Sequence, residues 1–281
     1  MRTFLVPTDF SENADTALYY AIELAKSEDA KIILLHIFTT PGINLVSTEK
    51  QSAKLKKESD NELQKLGLRI KHAGGIDYEY FSVEGSAVKV ILDTIKEKKI
   101  DLLIIGTKGE TKLSHALFGS NTAKLIAQVE CPVIAVPGGA SFKPIKKITY
   151  ATNYLYGDIF ILKKVLKVAQ PYQAQINILH ISTKEETPLA ERESMEKFMT
   201  AVKSEINYFN LSFQMLHGKN IEEQLENYIH SGATDLIVMA TDHRGAFEQI
   251  FSESLTKTLA SKTNIPLMVF HLNKKLSGAL L

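Results

Sequence analysis

The chain has 281 residues, 44% of them hydrophobic, enough to bury one large core or two ordinary ones. With 33 basic and 32 acidic residues its formal net charge is +1, so no global field draws in a polyanion or a membrane surface, and nucleic acid is excluded as a first expectation. A single cysteine, Cys131, rules out an internal disulfide framework and a multi-thiolate metal site, and it suits a reducing compartment.

From the start, "MRTFLVPTDF" lacks the longer apolar core and cleavage site of a secretory signal, and no later run is long enough to cross a bilayer. A cytoplasmic protein without a membrane partner is expected. Short β-branched apolar runs then alternate with stretches of helical period, the pattern of parallel α/β units. The strand runs are "RTFLVPT", "KIILLHIF", "DYEYFSV", "DLLIIGT" and "PVIAVP". Helices are predicted between them at about 11–27, 48–72, 86–98 and 120–128. In the first, Ala14, Ala17, Leu18, Ala21, Ile22 and Ala25 share a face, and Ser11 stands where an N-cap would.

After "PGGASFKPIKK", which reads as a linker, the order begins again. "KITYATNY" answers "TFLVPTDF" and "INILHIS" answers "IILLHIF". Asn153 then stands opposite Asp9 and His180 opposite His36, both 144 residues on (153 − 9, 180 − 36). Further along, "TDLIVMATDH" answers "IDLLIIGTKG", so that Ala240 stands opposite Gly106 at an offset of 134 (240 − 106). Two repeats are predicted, 1–140 and 141–273, followed by a tail at 274–281, and the second is shorter in its middle.

The stretch "GTKGETKLSHALFGSNT" places Gly106, Gly109, Gly119 and Ser120 just beyond the fourth strand. In an open parallel sheet, ligands bind at the carboxyl ends of the strands where strand order reverses, so this stretch and "PTDF" after the first strand are expected to meet there. Glycines let backbone amides turn inward as an anion nest, and the opening of the next helix favours phosphate. A nucleotide is the expected ligand. Neither a Walker A loop nor a G-x-G-x-x-G after the first strand is present.

The spacing G-x2-G-x9-G-S, with "VPTDFSENADTAL", "LLHI" and "CPVIAVP" in order around it, resembles the universal stress protein family. The resemblance is strong over about the first 137 residues and weaker beyond. It implies a doubly wound five-stranded parallel sheet of order 3-2-1-4-5 in each of two tandem α/β domains. It also implies a cytoplasmic stress-response protein whose signature-bearing domain binds ATP, with or without magnesium. Carried onto this chain, Pro7, Thr8 and Asp9 would face the nucleoside and the backbone at Ile37 the adenine. Gly106, Lys108 and Gly109 would line the phosphates from one side and Gly119, Ser120, Asn121 and Thr122 from the other. The plainer readings are helix capping for Asp9 and a solvated loop charge for Lys108.

The second repeat has Asn153, Ala240, His243 and Glu253 where the first has Asp9, Gly106, Gly109 and Gly119. If positive φ is required there, side chains cost on the order of 1 kcal/mol each. Glu253 beside a phosphate adds a repulsion of roughly 4 kcal/mol at about 4 Å and an effective dielectric near 20. The second nucleotide site is therefore expected to be degenerate, and His243 with Asp242 reads as an exposed loop pair rather than a metal site. For chemistry, Asp9, Glu110 and His115 are the nearby candidates, and none stands in a motif that fixes a catalytic geometry. A nucleotide-dependent switch with little or slow hydrolysis is the first expectation. A slow ATPase or phosphotransferase, and a nucleotide-free interaction scaffold, are the alternatives. The apolar fifth strands need cover, and the resemblance implies that they meet within the chain as a pseudo-dimer, with a homodimer through other faces as a further assembly.

Overall fold

In a computed structural model, which describes residues 1–40, 49–107, 120–154, 157–242 and 264–272, the chain divides into two compact units, Met1–Phe142 and Lys143–Leu281. The first begins with β1 (Arg2–Thr8), α1 (Glu12–Glu28), β2 (Ala30–Phe38), α2 (Glu49–His72) and β3 (Tyr78–Glu84). It continues with α3 (Ala87–Glu97), β4 (Leu102–Gly106), α4 (Ser120–Gln128) and β5 (Val133–Val136). Its strands are parallel in the order β3-β2-β1-β4-β5, so β1 has β2 on one side and β4 on the other. Strand order reverses at that point, which opens a crevice at the carboxyl edge.

The second unit repeats the plan with β6 (Lys147–Ala151), α5 (Asp158–Ala169), the 3-10 turn η1 (Gln170–Tyr172), β7 (Gln175–Ser182) and α6 (Leu189–Glu205). Then come β8 (Leu211–His217), α7 (Ile221–His230), β9 (Leu236–Asp242) and β10 (Leu267–Leu272). Its parallel order is β8-β7-β6-β9-β10, again 3-2-1-4-5. The α/β class and this strand order are those expected from the sequence.

Central strands buried on both faces read as near-continuous apolar runs, and Phe4, Leu5, Leu102, Leu103 and Ile104 are all buried. α1 packs its Ala and Leu face against them while Ser11 caps its first turn, accepting from the Ala14 N–H at 3.3 Å. Asp101 and Asp235, alike in both repeats, tie the start of β4 and β9 to the neighbouring first strand. Asp101 Oδ2 accepts from Thr3 N at 2.8 Å, and Asp235 Oδ2 accepts from Lys146 N and Lys147 N, both at 2.9 Å. Cys131 is buried, and desolvation pushes its thiol up to about 12, far from the range of a reactive thiolate.

Candidate functional site

In the first unit, the residues after β1 form a tight local turn. Thr8 Oγ1 accepts from Phe10 N at 3.0 Å, and Asp9 Oδ1 accepts from Ser11 N at 3.1 Å, so Asp9 helps set the entry to α1. Phe10 takes a left-handed backbone (φ 62°), a conformation that costs a non-glycine residue on the order of 1 kcal/mol. Its ring is held 4.4 Å from that of His36 on β2, and His36 Nδ1 meets Ser59 Oγ at 2.9 Å. Pro7 and Thr8 pair with Leu35 and His36, and Ile37 follows on β2, half-buried at the carboxyl edge.

Across the switch point, β4 ends at Gly106. Its backbone is not left-handed; instead, a Cβ there would lie 2.8 Å from the Asn13 carbonyl oxygen and 3.0 Å from its carbon. Gly106 is thus required by the approach of α1, where the sequence had pointed to a tight exit or a bared amide. Gly138, two residues beyond β5, faces the same residue, but there a Cβ would fall on the Asn13 side chain and not on its backbone. The positive-φ penalty assumed for the second repeat accordingly has no basis at the Gly106 and Ala240 position.

α4 begins at Ser120, and Thr122 Oγ1 donates to the Gly106 carbonyl at 3.2 Å, which fastens the helix start to the end of β4. While that bond stands, the Thr122 hydroxyl proton is not offered to a phosphate, and the group left to do so is the backbone N–H. Asn121 is exposed beside it. The donor set of a helix N-terminus at a sheet's carboxyl edge suits an anion. Lys108, Gly109 and Gly119, with Glu110 and His115, lie outside the described residues, as do His243 and Glu253 of the second repeat.

The second unit reproduces the turn. Thr152 Oγ1 accepts from Tyr154 N at 2.8 Å, Tyr154 is left-handed (φ 59°), and its ring lies 4.5 Å from that of His180. Each residue is 144 on from its counterpart in the first unit. His180 is engaged at both nitrogens, with Nδ1 2.8 Å from the Thr152 carbonyl and Nε2 2.6 Å from Glu191 Oε1. Burial first, and then the Glu191 charge, push the Tyr154 phenol up to about 12.

At this carboxyl edge lies an open crevice of about 420 Å³ between the ends of β6, β7 and β9 and the start of α7. Its wall includes Asp158, a buried residue that sequence reasoning passed over because an acid in the first turn of a helix is ordinary. Tyr150 donates to its Oδ1 at 2.7 Å and Thr152 donates to Oδ2. At the same offset the first unit has Val6 and Ala14 in place of Tyr150 and Asp158, which is the signal that could have found the cluster. Among the described residues, no cluster of His, Cys, Asp and Glu is placed to hold a metal ion, and no helix is long and apolar enough to cross a membrane.

The profile of the universal stress protein family matches residues 1–137. The universal stress protein MJ0531 of Methanocaldococcus jannaschii is 30% identical over 139 residues, which are 48% of this chain and 81% of that protein. Slr1230, a universal stress protein of Synechocystis, is 23% identical over a match covering 96% of this chain and all of its own length. Among solved structures, a universal stress protein from Archaeoglobus fulgidus superposes with a TM-score of 0.74 at 16% identity, covering 97% of each chain, and so shares the fold across both units. On the family profile, the M. jannaschii relative and the doubly wound architecture together, the chain belongs to the universal stress protein family.

Proposed function

We propose that the first unit binds ATP in the crevice between β1 and β4 and works as a nucleotide-dependent switch or sensor with slow hydrolysis. The adenine and ribose would lie over Ile37 and Asp9. The phosphates would be met by the glycine segment, with Lys108 neutralising charge and backbone N–H groups at Ser120, Asn121 and Thr122 donating. The observation that carries this reading is the Thr122 bond to the Gly106 carbonyl, because it holds a helix N-terminus against the end of β4, next to the turn that carries Asp9. The G-x2-G-x9-G-S spacing supports the same ligand from the sequence. Magnesium would be carried by the triphosphate itself. The second unit would contribute no second ATP site of this kind, because Glu253 stands at the place of Gly119.

Positioned amides and one lysine stabilise a bound triphosphate without activating a water, which is why binding is expected to outrun turnover. Gly119→Glu tests the reading. A carboxylate about 4 Å from a phosphate costs roughly 4 kcal/mol at an effective dielectric near 20, so affinity for labelled ATP should fall on the order of a thousandfold with circular dichroism unchanged. A wild-type chain that binds no ATP, or a folded variant that binds it as well as wild type, would overturn the proposal.

A further inference from the structure

We infer that the segment following β10 docks on the outer face of α5 in its own unit, with Leu276 packed over Phe160 and the stem of Lys164. This rests on the repeat and is independent of the ATP reading. In the first unit the chain beyond β5 folds back along α1. Thr16 Oγ1 donates to the Gly138 carbonyl at 3.5 Å, a turn closes from Ala140 N to the Pro137 carbonyl at 2.9 Å, and the Phe142 ring then packs edge-on against Tyr20 with centroids 5.0 Å apart. Tyr20 is only 3% exposed. Asn13, Thr16 and Tyr20, the helix residues that meet this segment, are spaced three and four apart and so form one stripe of α1.

The same stripe in the second unit is Gly157, Phe160 and Lys164, each 144 residues on (157 − 13, 160 − 16, 164 − 20). The outer strands keep their register as well: Leu103 pairs with Val133 in the first unit and Ile237 with Leu267 in the second, both 134 on (237 − 103, 267 − 133). At that offset Leu276 takes the place of Phe142 (276 − 142) and Leu272 that of Gly138 (272 − 138). Asn13, whose side chain leaves no room for a Cβ at Gly138, has a glycine for its counterpart, Gly157, so the obstacle is removed in the unit where Gly138 becomes leucine.

The face that awaits this segment is open and apolar. A lone exposed phenylalanine is ordinary, but Phe160, 40% exposed, stands at the register position that the first unit covers. Lys164 lays its ammonium 4.5 Å from the centre of that ring and 5.9 Å from the Phe270 ring on β10, so the chain leaves β10 beside this stripe. Four residues from Leu272 span up to about 14 Å, enough to bring Leu276 onto it. Residues 273–281 lie outside the described residues. In their sequence Leu276 is the one large apolar residue among Asn273, Lys274, Lys275, Ser277 and Gly278. Lys274 and Lys275 fall at the places of Ala140, half-buried, and Ser141, exposed, where a lysine keeps its ammonium in water.

NMR on the full chain with isotope-labelled leucine methyls tests this, the Leu276 signals being assigned by their loss in Leu276→Ala. The Leu276 methyls should give nuclear Overhauser contacts to the Phe160 ring and the Lys164 side chain. Leu276→Ala and Phe160→Ala should each speed amide exchange over residues 161–165 about fivefold, and the double variant no further, because the two residues share one contact. The Overhauser readout is made on the unsubstituted chain, so it stands even if a variant folds poorly. No contact between Leu276 and α5 would overturn the inference, as would additive effects of the two substitutions. Contacts that arise only between differently labelled chains in a mixed sample would place Leu276 on a second copy and overturn it as well. ATP binding should be the same in all three variants, so failure here and failure of the ATP site are separate results.

Discussion

Gly106 meets a packing demand and, on the proposed ATP reading, would also line the phosphates, and the two can be pulled apart. A methyl group there meets the Asn13 carbonyl at 2.8 Å, which is backbone against backbone and cannot be relieved by rotating a side chain. Gly106→Ala should therefore destabilise the chain without nucleotide present, by about 1–3 kcal/mol in a denaturant melt, as overpacking does elsewhere. Unchanged stability with lost ATP binding would instead assign Gly106 to the ligand alone. Glu28 presents a second local question. It is buried against Arg2, and desolvation outweighs that partner, so its carboxyl is raised above the usual 4.5. A raised carboxyl holds its proton in the folded chain at pH values where the unfolded chain has already lost it. Its contribution to stability thus grows as pH falls from the raised value towards 4.5, the reverse of the acid-lowered Glu79 beside Lys31. In Glu28→Gln, urea melts between pH 4.5 and 7 should lack that increment, and the wild-type-minus-variant difference should climb on acidification. A flat difference would mean that burial does not perturb this group. Neither effect was readable from sequence, because each is a contact between residues far apart in the chain: Asn13 with Gly106, and Arg2 with Glu28.

Elements were more legible than their contacts. Apolar runs bounded by Pro, Gly and helical periods gave the strands of the first unit and, through the repeat, those of the second except β8, whose residues are only half-buried or exposed and carry no continuous apolar run. Asp101 and Asp235 occupy the same place in both repeats, just before a strand and away from its carboxyl end, a position that suits structure more than metal chemistry. Both carboxylates hold the first amides of the neighbouring strand, Asp101 one and Asp235 two. Asp235→Ala should accordingly cost more than Asp101→Ala, about 1–3 kcal/mol against about half of that, in thermal or urea melts. Equal losses would mean that the second amide bond of Asp235 contributes nothing. The left-handed aromatic turn was present in the sequence as Phe10 opposite Tyr154 and His36 opposite His180, yet its meaning is conformational and periodicity does not express it. A phenyl or phenol ring packed at a tilt against the strand-two histidine offsets the backbone cost at φ near 60° in both units. The repeats thus preserve the device that starts the first helix while differing in what lines the crevice beside it.

At the scale of the chain, two units with the same strand order carry different residues at their carboxyl edges: Gly106, Gly109 and Gly119 in the first stand where the second has Ala240, His243 and Glu253. Each unit has a core of its own, so ligand stabilisation should be confined to the unit that binds. A ligand at 100 times its dissociation constant adds about 2.7 kcal/mol to the state that holds it, which slows globally exchanging amides about a hundredfold. Hydrogen exchange read by mass spectrometry on the full chain should show that slowing under saturating ATP in peptides from β1, β2 and β4, with β6, β7 and β9 unchanged. Equal protection of both sets by ATP would show that the units unfold as one cooperative block, and that occupancy of one crevice is communicated to the other. Protection of the second set alone under ATP would place the nucleotide in the other unit and overturn the assignment of the first crevice.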